Sequence, residues 1–357
     1  MLNNLNRENE EVQQLKAEKN WHQLSLWLLE KENMSRVCGA EINSISSILS
    51  KGLLDQKKQL IFLVSDTDDG RYTGQLLNLY YKNNRNPVQF EEVEYRILDG
   101  LRDDNVKAFK QDGLRNLVKE ISKEARTFDP SSIAINATGG YKAQISFAGM
   151  VGQALEIPVY YLFEKFSEVI ALPPQPVSLD LAFWLNHYVG FSDLETGNTV
   201  SKQEIELPWD DERLSALVDE ESIDDLSYVT LSAMGVLFHE RSQLQFARQK
   251  TAMLSLIPQD ETSPEQKTIK LRDDHGKDTL QDFSKKLCRS PYVKQIVNSL
   301  PFNPKQVDPI RRTTEEGLVE FVLTWTDAGI GVCIQTTGRN VAETNTIALH
   351  LKEQYTR

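Results

Sequence analysis

A chain of 357 residues with 40% hydrophobic and 26% charged residues has an ordinary globular composition and room for two or three domains. It has no run of about 18 apolar residues, so a membrane-spanning helix is not expected, and its net charge of −12 excludes a uniformly basic nucleic-acid binder. Cys38, Cys288 and Cys333 form no CxxC pair and the five histidines form no HExxH motif, which predicts a reducing cytoplasm and no structural or catalytic metal.

The charge is unevenly spread. Lys267 to Arg357 holds 14 basic and 11 acidic residues, against 26 and 41 in the rest of the chain. A mildly basic tail on an acidic body suggests a tail that meets a polyanion.

The elements follow in order. Residues 1–18 are polar and mixed in charge, unlike a signal peptide. Residues 11–30 space Val12, Leu15, Trp21, Leu24 and Leu28 as one or two helices. The run Leu60–Val64 is a buried-type strand, ending in a polar loop that carries Ser65, Thr67, Gly70 and Thr73 and leads into a helix over 74–81. Residues 88–96 alternate as a strand, 108–125 pattern as an amphipathic helix, and Ile133–Ile135 is the next strand.

The stretch Ser131–Gln144, SSIAINATGGYKAQ, is a strand, a glycine turn and a helix start. Glycines let backbone N–H groups approach a ligand, and a helix N-terminus favours anions. Asn136 and Thr138 add short polar arms, Gly139 and Gly140 the close approach, and Lys142 a positive charge. The motif is neither a Walker loop nor GxGxxG, and an ordinary strand–helix turn explains it equally well. Ligands of parallel sheets bind beyond strand C-termini, which would bring Ser65, Thr67, Gly70 and Thr73 to the same edge; the competing reading of those residues is an Asx-rich turn and N-cap. The helix 143–155 is small on one face, at Ala143, Ala148, Gly149 and Gly152, suiting either a dimer interface or close packing on the sheet. Residues 158–163 and 169–172 then pair antiparallel, and Pro173, Pro174 and Pro176 end the domain.

Asn136–Lys142, with the apolar pair 158–164 and 169–174, resembles the ligand loop and closing hairpin of CARF domains, the CRISPR-associated Rossmann-like sensors of cyclic oligoadenylate, over roughly residues 1–185. The resemblance implies a doubly wound parallel sheet, a homodimer, and a cyclic ligand, most commonly cyclic tetra-adenylate, held by Asn136, Thr138, Gly139, Gly140 and Lys142 with Ser65, Thr67, Gly70 and Thr73. Such domains open on a strand that ends in a polar ligand loop; Met1–Leu5 reads as sequence that would follow that strand.

Beyond residue 180 the acidic runs 207–212 and 219–225 read as linkers or helix N-termini, and 228–241 as a turn and an apolar helix. This stretch suits a packing connector or a winged helix-turn-helix, though it has few basic residues for reading DNA. Residues 259–266 are the clearest linker. The last ninety residues read as a strand (268–271), helices (278–288 and 292–300), strands (317–326 and 331–336) and a helix (341–355). Size, element order and basic residues resemble the RelE-type mRNA interferase fold. That resemblance implies metal-independent attack by a ribose 2′-hydroxyl, with cations stabilising the phosphate. The candidates are Arg339 in the TTGRN loop, His275 as acid or base, and Arg272, Lys277, Arg311 and Arg312. The chain lacks the Arg and His spacing of HEPN ribonucleases, and Glu320 lacks the following ExK of a PD-(D/E)xK nuclease.

The expectation is an α/β protein: a Rossmann-like CARF domain with a parallel sheet (1–180), a helical or winged-helix-like connector (181–265) and a small C-terminal α+β RelE-like domain (266–357). Its expected function is a cytoplasmic, cyclic-oligoadenylate-activated endoribonuclease of type III CRISPR defence acting on mRNA, on the ribosome, without a cofactor. The alternatives are a winged-helix transcription regulator controlled by the same ligand, and a ring nuclease that degrades the ligand.

Overall fold

The computed structural model describes residues 2–6, 8–140, 142–162, 168–172, 179–195, 199–272, 276–301, 308–325 and 328–355, with only the backbone of residues 142, 143, 324, 325 and 328. The chain forms two compact units: Met1–Ser178 with Ser232–Leu237, and Leu179–Leu231 with Phe238–Arg357.

The first unit opens with helices α1 (Leu2–Leu5), α2 (Glu10–Ala17), α3 (Trp21–Leu29) and α4 (Gly39–Ser50). Asn9 and Asn20 cap α2 and α3 with side-chain oxygens, and the break between them falls at Lys19, whose φ is 56°. Strand β1 (Gln59–Ser65) pairs in parallel with β2 (Glu92–Leu98), from Gln59 opposite Glu92 to Ser65 opposite Leu98. The crossover is α5 (Asp68–Lys82), as a parallel pair requires. The core joins Trp21, Leu24 and Leu28 of α3, Ile42 of α4, and Leu76, Leu77, Tyr80 and Tyr81 of α5. Each such side chain contributes about 1.5–3 kcal/mol through burial.

The strand expected at 88–96 starts four residues later. Asn83 and Asn86 each accept a backbone N–H two residues on, at 2.9 Å, so Arg85 and Val88 are held in turns. A short helix α6 (Val106–Ala108) and a π turn (Phe109–Gly113) lead into α7 (Leu114–Thr127), which buries Leu117, Val118, Ile121 and Ala125. Arg96 on β2 donates to Glu120 and Glu124 of α7, at 2.8 and 2.7 Å, and locks that helix over the strand.

Strand β3 (Ile135–Asn136) runs parallel to β4 (Val159–Leu162), with α8 (Lys142–Leu155) as crossover, and β4 pairs antiparallel with β5 (Val169–Leu172), the expected hairpin. Residues 133 and 134 do not join β3, because the carbonyl of Pro130 holds Ile133 N in a 3-10 turn. On α8, Gly152 permits close approach: a Cβ there would stand 2.1 Å from Val159 Cγ2. Gly149 would meet nothing within 4 Å, so the small residues serve two different faces. Pro173, Pro174 and Pro176 lie outside the described residues.

The second unit contains α9 (Leu181–Asn186), α10 (Tyr188–Glu195), β6 (Val200–Ser201), α11 (Leu214–Leu217), β7 (Val218–Ile223), β8 (Leu226–Leu231) and most of α12 (Ala233–Ser255), followed by α13 (Lys277–Leu287), β9 (Val293–Ser299), β10 (Ile310–Thr313), β11 (Leu318–Trp325), β12 (Ala328–Thr336) and α14 (Val341–Tyr355). It therefore takes in residues from both the expected connector and the expected C-terminal domain. Strands β6, β8 and β7 form an antiparallel sheet in that order, and β10, β11, β12 and β9 a second one.

Four expectations are corrected in this unit. The acidic run at 219–225 is not a linker: it is β7 and a two-residue hairpin turn, with Asp224 and Asp225 at φ 49° and 63°. The apolar stretch from Tyr228 splits into a strand and a helix because its first residues pair with β7. Residues 292–300 are not a helix. Val293, Ile296 and Val297 are β-branched, and the segment pairs with β12. The strand expected at 268–271 is reduced to one parallel bridge, Ile269 to Ile296.

Candidate functional site

Strand β3 ends because side chains take over its ladder. Ala137 N still donates to Tyr160 O at 2.8 Å, but Leu162 N donates to Thr138 Oγ1 at 3.0 Å rather than to a backbone carbonyl. Thr138 Oγ1 donates in turn to Asn136 Oδ1 at 2.7 Å, and Asn136 Nδ2 donates to Ser44 Oγ on α4 at 2.7 Å. Ser44 Oγ donates to its own helix, at Glu41 O, 3.1 Å away. Each hydroxyl in this relay accepts once and donates once. The carboxamide orientation of Asn136 is fixed by it, and the loop is tied to α4 and β4 at once. Ser47, one turn beyond Ser44, repeats the link by accepting from Val169 N of β5 at 3.0 Å.

Asn136 and Thr138 thus frame the loop, and the exposed groups at its tip are Gly139 and Gly140. Gly140 has φ +106°, a conformation that favours glycine, and a Cβ there would stand 2.3 Å from Gln144 Oε1. A Cβ on Gly139 would stand 3.4 Å from Glu41 Cγ and 3.5 Å from Glu41 Oε1. The loop is therefore flanked by a carboxylate on one side and a carboxamide on the other. Lys142 opens α8, and its side chain lies outside the described residues. Glu41 and Ser44 escaped the sequence reading, although Ile42, Ile45 and Ile48 space α4 as a helix.

The second predicted group sits at the end of β1, in the β1–β2 pair rather than in the β3–β4–β5 sheet. Thr67 caps α5, accepting from Gly70 N at 3.1 Å, and Ser65 Oγ lies 2.9 Å from Thr67 Oγ1. A Cβ on Gly70 would stand 2.3 Å from Ser65 O, so glycine lets the helix start directly over the strand end. These contacts supply a packing role for Ser65, Thr67 and Gly70. Thr73 is half-buried within α5.

In the second unit the predicted cations are dispersed. Arg311 and Arg312 lie on β10, one edge of the four-stranded sheet; Arg272 follows the bridge to β9, at the other edge, with its backbone N donating to Ser299 Oγ at 3.0 Å. Three strand spacings separate those edges, about 14 Å. Arg311 pairs with Glu320 at 2.6 Å, and Arg312 is exposed. Lys277 is exposed at the start of α13. His275 lies outside the described residues. Arg339 is clamped by Glu343: the guanidinium reaches Glu343 Oε1 at 2.6 Å, and Arg339 N donates to Glu343 Oε2 at 2.9 Å. Glu343 N donates to Asn340 Oδ1 at 2.9 Å, so Asn340 caps the start of α14. The Arg339 hydrogen bond holds the Glu343 carboxyl below its usual range.

One buried polar cluster had no signal in the sequence pattern. Asp308 Oδ2 accepts from Tyr188 Oη and Ser192 Oγ of α10, both at 2.6 Å, and from Lys352 Nζ of α14 at 2.7 Å. Burial pushes the Asp308 carboxyl up, but the Lys352 charge and the three donors outweigh it and hold it below the usual range. The cluster pins α10 and α14 to the start of β10. Among the described residues no group of three or more His, Cys, Asp or Glu is placed to hold a metal, and no helix is long and apolar enough to cross a membrane.

Residues 36–175 match the model of a CRISPR-associated protein family, Cas_APE2256. The matched stretch contains α4, the Asn136–Gly140 loop and the β4–β5 hairpin, and excludes the second unit. Two solved structures are similar at 10% identity. One is Can2 from Sulfobacillus thermosulfidooxidans in complex with cyclic tetra-adenylate, with a TM-score of 0.22, covering 71% of this chain and 84% of the other. The second is protein VC1899 from Vibrio cholerae, with a TM-score of 0.26, covering 83% and 75%. Both scores are low, and neither structure informs the fold of this chain. None of the curated proteins matches it.

Proposed function

We propose that the chain is a cyclic-oligoadenylate sensor of CRISPR defence, with the ligand seated on the Asn136–Gly140 loop and Lys142. The observation that carries this reading is a coincidence in place. The stretch that matches a CRISPR-associated family contains a glycine loop at a helix N-terminus, held by a saturated relay from Ser44 to Leu162. Such a loop offers backbone N–H groups and a positive helix end to a phosphate without rearrangement. Titration calorimetry of the full chain with cyclic tetra-adenylate tests it.

The proposed output of the second unit is RNA cleavage by 2′-hydroxyl attack without a metal, on mRNA and with the ribosome as partner. Its support is the exposed cations Arg272, Lys277 and Arg312 in a basic tail; their dispersal over the sheet, and a strand, β9, where the second helix was expected, weaken the likeness to RelE. RNA incubated with ligand, with and without ribosomes and EDTA, tests it: 2′,3′-cyclic phosphate ends formed in EDTA support the reading. The regulator alternative has less support, because the β7–β8 hairpin that would serve as a wing carries Asp219, Glu220, Glu221, Asp224 and Asp225 and would be repelled by DNA. Linearised cyclic ligand in the same assay would mark a ring nuclease. A homodimer is proposed through the outward face of α8, where Gly149 is unobstructed and Met150 is 44% exposed.

A further inference from the structure

Glu41 lies in the first turn of α4, half-buried, with its carboxylate against Gly139. Its own carbonyl accepts from Ser44, so the backbone that carries it belongs to the relay that fixes Asn136. A carboxylate in this position constrains what sits beside it. A phosphate oxygen placed directly beside it would meet a like charge. Ionised carboxylates accept hydrogen bonds and donate none. The group of a ligand that meets Gly139 from the Glu41 side is therefore a donor.

A 3′,5′-linked cyclic oligoadenylate has two kinds of donor, the ribose 2′-hydroxyl and the adenine amino group. The 2′-hydroxyl stands on the carbon next to the 3′-phosphate. A ligand whose phosphate is held by the loop amides and the start of α8 brings that hydroxyl beside the loop, whereas the amino group lies at the far end of the base. We infer that Glu41 accepts the ribose 2′-hydroxyl of the bound nucleotide, making it the residue by which the site distinguishes a ribonucleotide from a deoxyribonucleotide ring. This rests on the reading of the Asn136–Gly140 loop as a cyclic-oligoadenylate site. The arrangement pairs a glycine loop for phosphate with an acid for the adjacent ribose hydroxyl, a division of labour that dinucleotide-binding folds reach by a different route.

The test uses the full chain and two probes, cyclic tetra-adenylate and cyclic tetra-deoxyadenylate, by titration calorimetry, with circular dichroism to check each variant. Wild type is expected to prefer the ribose ring by about 10- to 100-fold, the worth of one hydrogen bond to a charged group. In Glu41→Ala the two rings bind within about threefold of each other, and Glu41→Gln falls between. Wild type binding both rings equally, or Glu41→Ala keeping the wild-type preference, overturns the assignment of Glu41 while leaving the ligand reading in place. Wild type binding neither ring overturns both.

Discussion

Asn136 and Ser44, 92 residues apart, are joined by a 2.7 Å hydrogen bond from Nδ2 to a fully buried Oγ. That bond connects the strand end that carries the glycine loop to the helix that carries Glu41. Ser44→Ala removes the acceptor and leaves the Asn136 amide short of a partner inside the unit. We expect a loss of about 1–3 kcal/mol in unfolding free energy by urea denaturation. Wild-type stability in this variant would show that the bond adds nothing to the frame.

The two faces of α8 give a paired prediction. Gly152→Ala forces a methyl against Val159 and should cost about 1–3 kcal/mol through overpacking. Gly149→Ala meets open space in a helix interior and should stabilise the isolated chain by about 0.5–1 kcal/mol. If the outward face of α8 is a dimer contact, Gly149→Arg should lower the sedimentation coefficient; an unchanged value would place any dimer contact elsewhere.

Asp308 ties stability to pH. Its carboxyl is held below the usual range in the folded chain, so its contribution is complete above the unfolded value of about 3.9 and is lost as pH falls through the lower folded value. Wild type should lose stability steeply in acid below about pH 4, and Asp308→Asn should show a shallower fall. Asp308→Ala at neutral pH should cost about 3 kcal/mol, the low end for a broken buried pair because the Lys352 side chain is 32% exposed. Superimposable acid profiles for wild type and Asp308→Asn would contradict this.

Arg339 separates two roles in one loop. As an exposed part of the α14 cap its loss should leave stability close to wild type. As a cation stabilising a phosphorane it would cost about 100- to 1,000-fold in RNA cleavage, with ligand binding intact. Glu343→Gln removes the charge that holds the guanidinium, so a catalytic Arg339 predicts cleavage kept or raised in Glu343→Gln and lost in Arg339→Ala. Equal cleavage in wild type and Arg339→Ala would leave the loop as a cap alone.

What was legible in the sequence follows from where pairing partners lie. The β4–β5 hairpin could be read because both strands are apolar and adjacent, and α14 because its helix is long and follows a glycine turn. β9 could not, since Val293 and Ile296 fit helical spacing and only β12, forty residues on, makes the segment extended. β7 carries Asp219, Glu220 and Glu221 in a row and is a strand because β8 pairs with it. At the site, the glycines and Asn136 were visible as a motif, while Glu41 and Ser44 were not. They belong to a helix ninety residues earlier, whose serines read as solvent-facing until the fold turns Ser44 and Ser47 inward. In the TTGRN loop the sequence showed Arg339 without a partner, and the fold supplies one, Glu343, at the start of α14.

The most direct test of the central claim is titration of the full chain with cyclic tetra-adenylate, alongside linear tetra-adenylate and the Lys142→Ala variant. The account predicts saturable binding of the cyclic ligand, weaker binding of the linear one, and a loss of about 1.5–3 kcal/mol in Lys142→Ala with folding intact. Absence of saturable heat with cyclic tri-, tetra- and hexa-adenylate, or binding unchanged by Lys142→Ala, would contradict it.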